Sequence, residues 1–294
     1  MKDWENVMNE RLKIGITNTS YTGTYGFDNG IERIAAEGYE CIDYQKFIDI
    51  ETDFFNLPAE EFDKAVLRDK EVINSHGMQV WQVHSPWRTP RDDDPAELIR
   101  WRAAMKKSIR GTHLLGASRF VVHPLMPFYD RAEGAETVWE MNLEFIADLA
   151  DYAKEYGVTV CVENLPFPVY PLASVEAVCE LVDMLNRDNL KVCLDTGHAA
   201  IFFGSDISGA VRHIGKRLEV LHVHDNMGIQ DEHLIPGDGI IDWDGFASAL
   251  SEIGFAGTIS LETSPKHALH PESEWREREK ALCGIALSLA EKAR

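Results

Sequence analysis

Residues 158–195 read VTVCVENLPFPVYPLASVEAVCELVDMLNRDNLKVCLD. The two ends, VTVCVE (158–163) and LKVCLD (190–195), are short runs rich in β-branched residues. Both are apolar at odd and even positions, as suits strands covered on both faces. Between them, residues 174–186 place apolar side chains at helical spacing. A strand, a helix and a second strand form a unit whose strands run parallel. The same alternation extends outward in both directions. Upstream lie the strand-like runs KIGIT (13–17), ECIDYQ (40–45), MQVWQVH (78–84) and SRFVVH (118–123); downstream lie LEVLHV (218–223) and GTISLE (257–262). Helical patterns fall near 29–37, 59–76, 95–115, 134–156, 206–216, 242–253 and 273–292.

Eight βα units in 294 residues are the arithmetic of a single (β/α)8 TIM barrel, one domain over residues 1–294. A doubly wound open sheet would carry a glycine-rich phosphate turn after its first strand, and Thr17-Asn18-Thr19-Ser20 is not one. Local signals agree with the helix bounds. Asp94, Pro95 and Glu97 read as an N-cap, a first-turn proline and an acidic N3 residue. Gly38, Gly77, Gly116 and Gly157 each stand where a helix must turn back to a strand through a left-handed residue.

Composition narrows the function classes. Lys+Arg 29 against Asp+Glu 49 gives a formal charge of −20, which repels phosphate backbones and argues against a nucleic-acid partner. The basic residues that do cluster, Arg100, Arg102, Lys106, Lys107 and Arg110, lie on one helix and read as a solvated outer face. Five cysteines form no CxxC pair and sit in apolar runs, as expected of reduced, buried thiols. No signal peptide and no membrane span is legible, so the expectation is a cytoplasmic protein with no membrane partner.

In such a barrel the active site lies at the carboxyl ends of the strands. Strand 3 ends in His84, strand 4 in His123, strand 5 in Glu163 and strand 6 in Asp195, with His198 just beyond. Strand 7 carries His222, His224 and Asp225, and strand 8 ends in Glu262. The loop after strand 7 adds Asp231 and His233. Packing does not ask for charge at these places, and unpaired buried carboxylates are costly; a divalent cation removes that cost. Carboxylates with imidazoles and no cysteine favour Mn²⁺, with Mg²⁺, Co²⁺ and Zn²⁺ as alternatives. Glu163 and Glu262, across the ring from each other, suit the movement of a proton between adjacent carbons through a metal-stabilised enediolate. Tyr21, Tyr25, Tyr44, Trp81, Trp87, Phe128, Phe167 and Tyr170, near strand ends, are candidate apolar walls for a small ligand.

The segments VENLP (162–166), LDTGHA (194–199), LHVHDNMG (221–228), DEHLIPGDGIIDW (231–243) and ISLE (259–262) together resemble the xylose isomerase-like TIM-barrel superfamily. It contains sugar isomerases and epimerases, inosose dehydratase and endonuclease IV. The resemblance implies a metal-dependent sugar isomerase or epimerase acting on a ketose or related small carbohydrate. It implies one metal ion on Glu163, Asp195, His222 and Glu262, with the two glutamates as the acid/base pair. His222 is preferred to His224 because His222 heads an H-x-x-[DE] pattern. His84, His123, His198, Asp231 and His233 are left to the substrate or to a second metal. They also match the further positions with which endonuclease IV holds three zinc ions. A lyase or dehydratase acting on a keto-inositol or keto-glycoside uses the same groups, and a non-catalytic sugar-binding protein remains an alternative. Arg88 and Arg91 are the obvious basic residues for a phosphate clamp, and both sit beside Asp92, Asp93 and Asp94, so an unphosphorylated substrate is expected. His267 and His270 follow strand 8 with no supporting pattern, and a homo-oligomer is compatible with the sequence.

Overall fold

The apolar runs become eight parallel strands: β1 (Lys13–Thr17), β2 (Cys41–Tyr44), β3 (Gln79–His84), β4 (Arg119–Val122), β5 (Thr159–Glu163), β6 (Leu190–Asp195), β7 (Leu218–His222) and β8 (Thr258–Leu261). The computed structural model describes residues 11–90, 94–126, 134–263 and 272–294. From β1 to β7 each strand pairs with the next in sequence, and β8 pairs with β1. Closure between β7 and β8 falls to one residue beyond β7. Val223 donates its N–H to Ser260 O at 2.8 Å and accepts from Glu262 N at 3.0 Å. The result is a single (β/α)8 TIM barrel.

In chain order the helices are α1 (Thr19–Tyr25), α2 (Phe27–Glu37), α3 (Asp53–Asn56), α4 (Ala59–Ser75), α5 (Pro95–Leu115), α6 (Ala135–Lys154), α7 (Val175–Leu185), α8 (Thr196–Phe203), α9 (Ser208–Ile214), α10 (Trp243–Ile253) and α11 (Trp275–Lys292). The cap on α5 forms as its sequence requires, with the Asp94 side chain accepting from Glu97 N at 2.9 Å. Gly38, Gly77, Gly116 and Gly157 all have positive φ. The charges of α5 are spent on its neighbours: Arg100 meets Glu51, Lys106 meets Asp148 and Arg110 meets Asp63. That helix is an outer, solvated face.

Two apolar layers set the site's position. The larger packs the outward strand residues, among them Ile16, Phe120, Val162 and Leu221, against the helices. The smaller fills the barrel itself with Val121, Cys161, Cys193 and Val220, and Trp81 lies against it. All five cysteines are buried and unbonded, and burial pushes the Cys161 and Cys193 thiols well up. Among the described residues no helix is long and apolar enough to cross a membrane.

Candidate active site

Side chains on a strand repeat their direction every second residue. Two residues on from the inner plug, Val121 leads to His123, Cys161 to Glu163, Cys193 to Asp195 and Val220 to His222. The apolar plug is therefore a floor, and the ring of acids and imidazoles stands directly above it. A cavity of about 190 Å³ opens over this floor, lined among the described residues by Gln45, Ile48, His84, Trp87, His123, Glu163, His198, Asp231, His233 and Glu262. That volume is below the roughly 300–1,000 Å³ of sites for drug-sized ligands and suits a small polar molecule. Larger hollows, among them those of about 370 and 510 Å³ around Arg119, Trp81 and Phe255, lie at the opposite end of the barrel. None of the ligating groups found among the described residues lies there.

Ligand atoms of Glu163, Asp195, His222 and Glu262 all lie within 4.8 Å of one another. Nδ1 of His222 is 3.0 Å from Glu163 Oε1 and 3.0 Å from Glu262 Oε2. Around this group the imidazoles follow one pattern. His84, His198 and His233 place Nδ1 on the backbone carbonyls of Ser85, Asn164 and Glu262, at 2.8, 2.7 and 2.8 Å. A carbonyl only accepts, so each Nδ1 carries the proton and each Nε2 is turned inward. There Nε2 meets a carboxylate: Glu163 for His84 at 3.5 Å, and Asp231 for His198 and His233 at 3.3 and 3.2 Å. His123 Nε2 lies 3.2 Å from Glu163 Oε2. A bare lone pair facing a buried carboxylate is unfavourable unless a proton or a metal ion stands between them.

The charge balance follows. Burial works against ionised Glu163, but His222 and His123 outweigh it and hold the carboxyl well below its usual range. Burial likewise opposes Glu262, and His222 holds that carboxyl low as well. His198 is pushed up to about 9, its burial being overcome by Asp195 and Asp231. His233 rises to about 10 against its own burial, through Asp231 and Glu262. Glu163 Oε2 and His198 Nε2 are nevertheless buried without a hydrogen-bond partner. Oxygen and imidazole donors converging at this spacing, with orphaned atoms among them, fit a divalent cation.

Local structure holds the ring in place. Asp195 ends β6 and also caps α8, accepting from His198 N at 2.7 Å. Asn164 clasps the Asp195 backbone at both N and O. Asp225 staples the loop after β7, accepting from Asn226 N, Gly237 N, Ile241 N and Trp243 Nε1. This loop presents Asp231 and His233, and His233 takes a left-handed backbone with φ +49°. His224 lies just beyond β7, its Nε2 2.9 Å from Asp195 Oδ2 and its ring stacked on His233 at 4.2 Å.

Four polar residues of the site had no place in the sequence reading. Gln45 donates to Glu262 Oε1 at 2.7 Å. Asp43 faces His222, Gln82 supports Asp43, and Asn164 holds Asp195. The available signal was the alternation Cys41, Asp43, Gln45, polar at every second position of a buried strand. Of the candidate aromatic walls among the described residues, only Trp87 lines the cavity. Tyr21 and Tyr44 are buried on Glu37 and Asp69, and Trp81 stacks under Arg119 at the other end. Arg88 is exposed and does not line the cavity. Arg91, Phe128, His267 and His270 lie outside the described residues.

Comparison with known proteins agrees with the fold. The inosose isomerase of Bacillus subtilis (strain 168) is 30% identical over 154 residues, 50% of this chain and 54% of its own length. The chain thus spans about half of that relative. A D-psicose 3-epimerase crystallised in the presence of D-fructose superposes with a TM-score of 0.77 at 17% identity, covering 95% of this chain and 99% of the other. An IOLI protein with a bound zinc atom gives a TM-score of 0.73 at 20% identity, covering 96% and 98%. The family model for the xylose isomerase-like TIM barrel matches residues 31–282, and the chain belongs to that family.

Proposed function

We propose that the chain is a sugar isomerase or epimerase that moves a proton between adjacent carbons of a small, unphosphorylated ketose or inosose. The carrying observation is the pair Glu163 and Glu262, which converge on His222 Nδ1 at 3.0 Å each and are both held ionised against burial. The names of the relatives, an inosose isomerase and a D-psicose 3-epimerase, support the substrate class.

Glu163, Asp195, His222 and Glu262 would hold one divalent cation, with Mn²⁺ favoured by their donor set. When bound, the cation would supply Lewis acidity toward the carbonyl and neighbouring hydroxyl oxygens of the sugar. The protein groups do the rest. An ionised carboxylate takes the C–H proton and becomes the acid that can return it. Glu163 is 1% exposed at its side chain and Glu262 16%, so exchange of that proton with water falls to Glu262 at the mouth. Gln45, bonded to Glu262, keeps the carboxylate turned toward the ring. Trp87 offers the sugar an apolar edge.

Glu163→Gln and Glu262→Gln, folded by circular dichroism, should each slow exchange of a substrate C–H proton with solvent deuterium by about 10²–10⁴-fold. Undiminished exchange in either folded variant overturns the two-carboxylate reading. Loss of water or of an aglycone in the products would assign elimination instead. A second reading rests on Asp231, which stands between His198 and His233 as a ligating group of its own. It proposes three cations and phosphodiester hydrolysis, and elemental analysis decides: one ion per chain retires it, three revive it.

A further inference from the structure

We infer that Asp43 is a positioning residue that selects which nitrogen of His222 faces the cation; the inference rests on the cation reading above. His84, His198 and His233 are wired through Nδ1 to backbone carbonyls. His222 is turned the other way. Its Nδ1 points between Glu163 and Glu262, and its Nε2 finds no carbonyl but Asp43 Oδ2, 3.0 Å away. Asp43 is 1% exposed, and among the described residues no lysine or arginine pairs with it. Among the described residues the recorded hydrogen-bond donor to its carboxylate is Gln82 Nε2, at 3.1 Å, and that group is shared with Leu221 O, the residue before His222. Asp43 Oδ1 and His222 Nε2 are both buried without a hydrogen-bond partner, and the 3.0 Å ion-pair approach to Asp43 Oδ2 is the polar contact recorded for that nitrogen.

Sheet geometry builds this arrangement. The register between β2 and β3 slips at Ile42/Asp43, so Asp43 stands opposite Gln82, whereas an unbroken register would bring Trp81 there. Bulges of this kind re-aim side chains beside active sites. Gln82 serves one oxygen of this buried carboxylate, and the second group placed to serve it, 3.0 Å away, is the Nε2–H of His222. With that proton fixed on Nε2, the Nδ1 lone pair is left for the cation. A carboxylate behind a ligating imidazole both orients the ring and raises its basicity.

The test measures Mn²⁺ affinity without substrate, by competition with a chromophoric chelator, for the wild type, Asp43→Ala and Asp43→Asn. Asp43→Ala should weaken binding by about 10–100-fold, and Asp43→Asn, whose side-chain oxygen still accepts the Nε2–H, by less. ¹⁵N spectra of Zn²⁺-loaded wild type should show His222 protonated at Nε2 and ligated at Nδ1, with this order lost in Asp43→Ala. If Asp43→Ala does not fold, the same spectrum of Asp43→Asn carries the test. A purely structural role would lower the thermal midpoint yet leave affinity and tautomer unchanged, and that result overturns the inference. Ligation through Nε2 in the wild type overturns it too. A wild type that binds no cation overturns both this inference and the cation reading. Equal, tight binding by wild type and Asp43→Ala overturns only the role of Asp43.

Discussion

His222 concentrates the residue-scale physics of the site. Burial disfavours its charge, but surrounding anionic groups, Glu262 and Glu163 among them, hold its pKa well above the usual imidazole value. At neutral pH the cation-free ring therefore keeps a proton where a metal ion would bind. Adding Mn²⁺ at pH 7 should expel about one proton per chain, because a ligating imidazole must be neutral. Calorimetry in two buffers of different ionisation enthalpy would measure it; equal heats would contradict it. The ring residues His84, His123, Glu163, Asp195, His222 and Glu262 were legible because each is a polar residue ending an apolar run. The pairing of Asp43 with Gln82 was not: alternation along β2 marks Asp43 as inward, but the register slip that sets it opposite Gln82 is carried by neither strand's sequence alone. His222 and His224 share one strand parity, so period two could not separate them.

At the scale of elements, the junction of β6 with α8 is the tightest piece of construction. A Cβ on Gly197 would stand 2.0 Å from Cε1 of His224. Gly197→Ala should therefore displace His224 from Asp195 and lower stability by about 1–3 kcal/mol, read from the urea midpoint. Gly209, inside α9, meets nothing within 4 Å of a built Cβ. Gly209→Ala should act in the opposite sense and stabilise by up to about 1 kcal/mol through helix propensity. The pair makes a control, since the chemical change is identical and only the surroundings differ. Element bounds were legible where caps punctuate them: β6 at Leu190–Asp195 and α5 at Pro95–Leu115 coincide with their sequence reading. The helices α1, α3 and α8 were missed, each seven to eight residues or fewer and set inside a βα connection. α8 begins on the residue after a strand, and its cap is that strand's last residue, so no loop announces it.

For the whole molecule, the formal charge of −20 divides between a solvated surface and a ring that waits for positive charge. Protons supply that charge when no cation is bound. His198 and His233 are raised to about 9 and about 10, so their contribution to stability is complete below the unfolded imidazole value of ~6.5. It is lost as pH rises through the folded values. The thermal midpoint of chelator-treated protein should accordingly fall between about pH 7 and pH 10, whereas saturating Mn²⁺ should flatten the profile; a flat profile without metal would count against the ring's electrostatics. The plug of Val121, Cys161, Cys193 and Val220 has a further meaning for traffic. It leaves the ring no exit along the barrel axis, so a ligand that enters must depart by the same doorway, and on the proposed function reactant and product would contend for one vacant form of the protein. A barrel built in this way cannot hand its product onward through its own axis. It works as a turnstile, set in either direction by the concentrations outside.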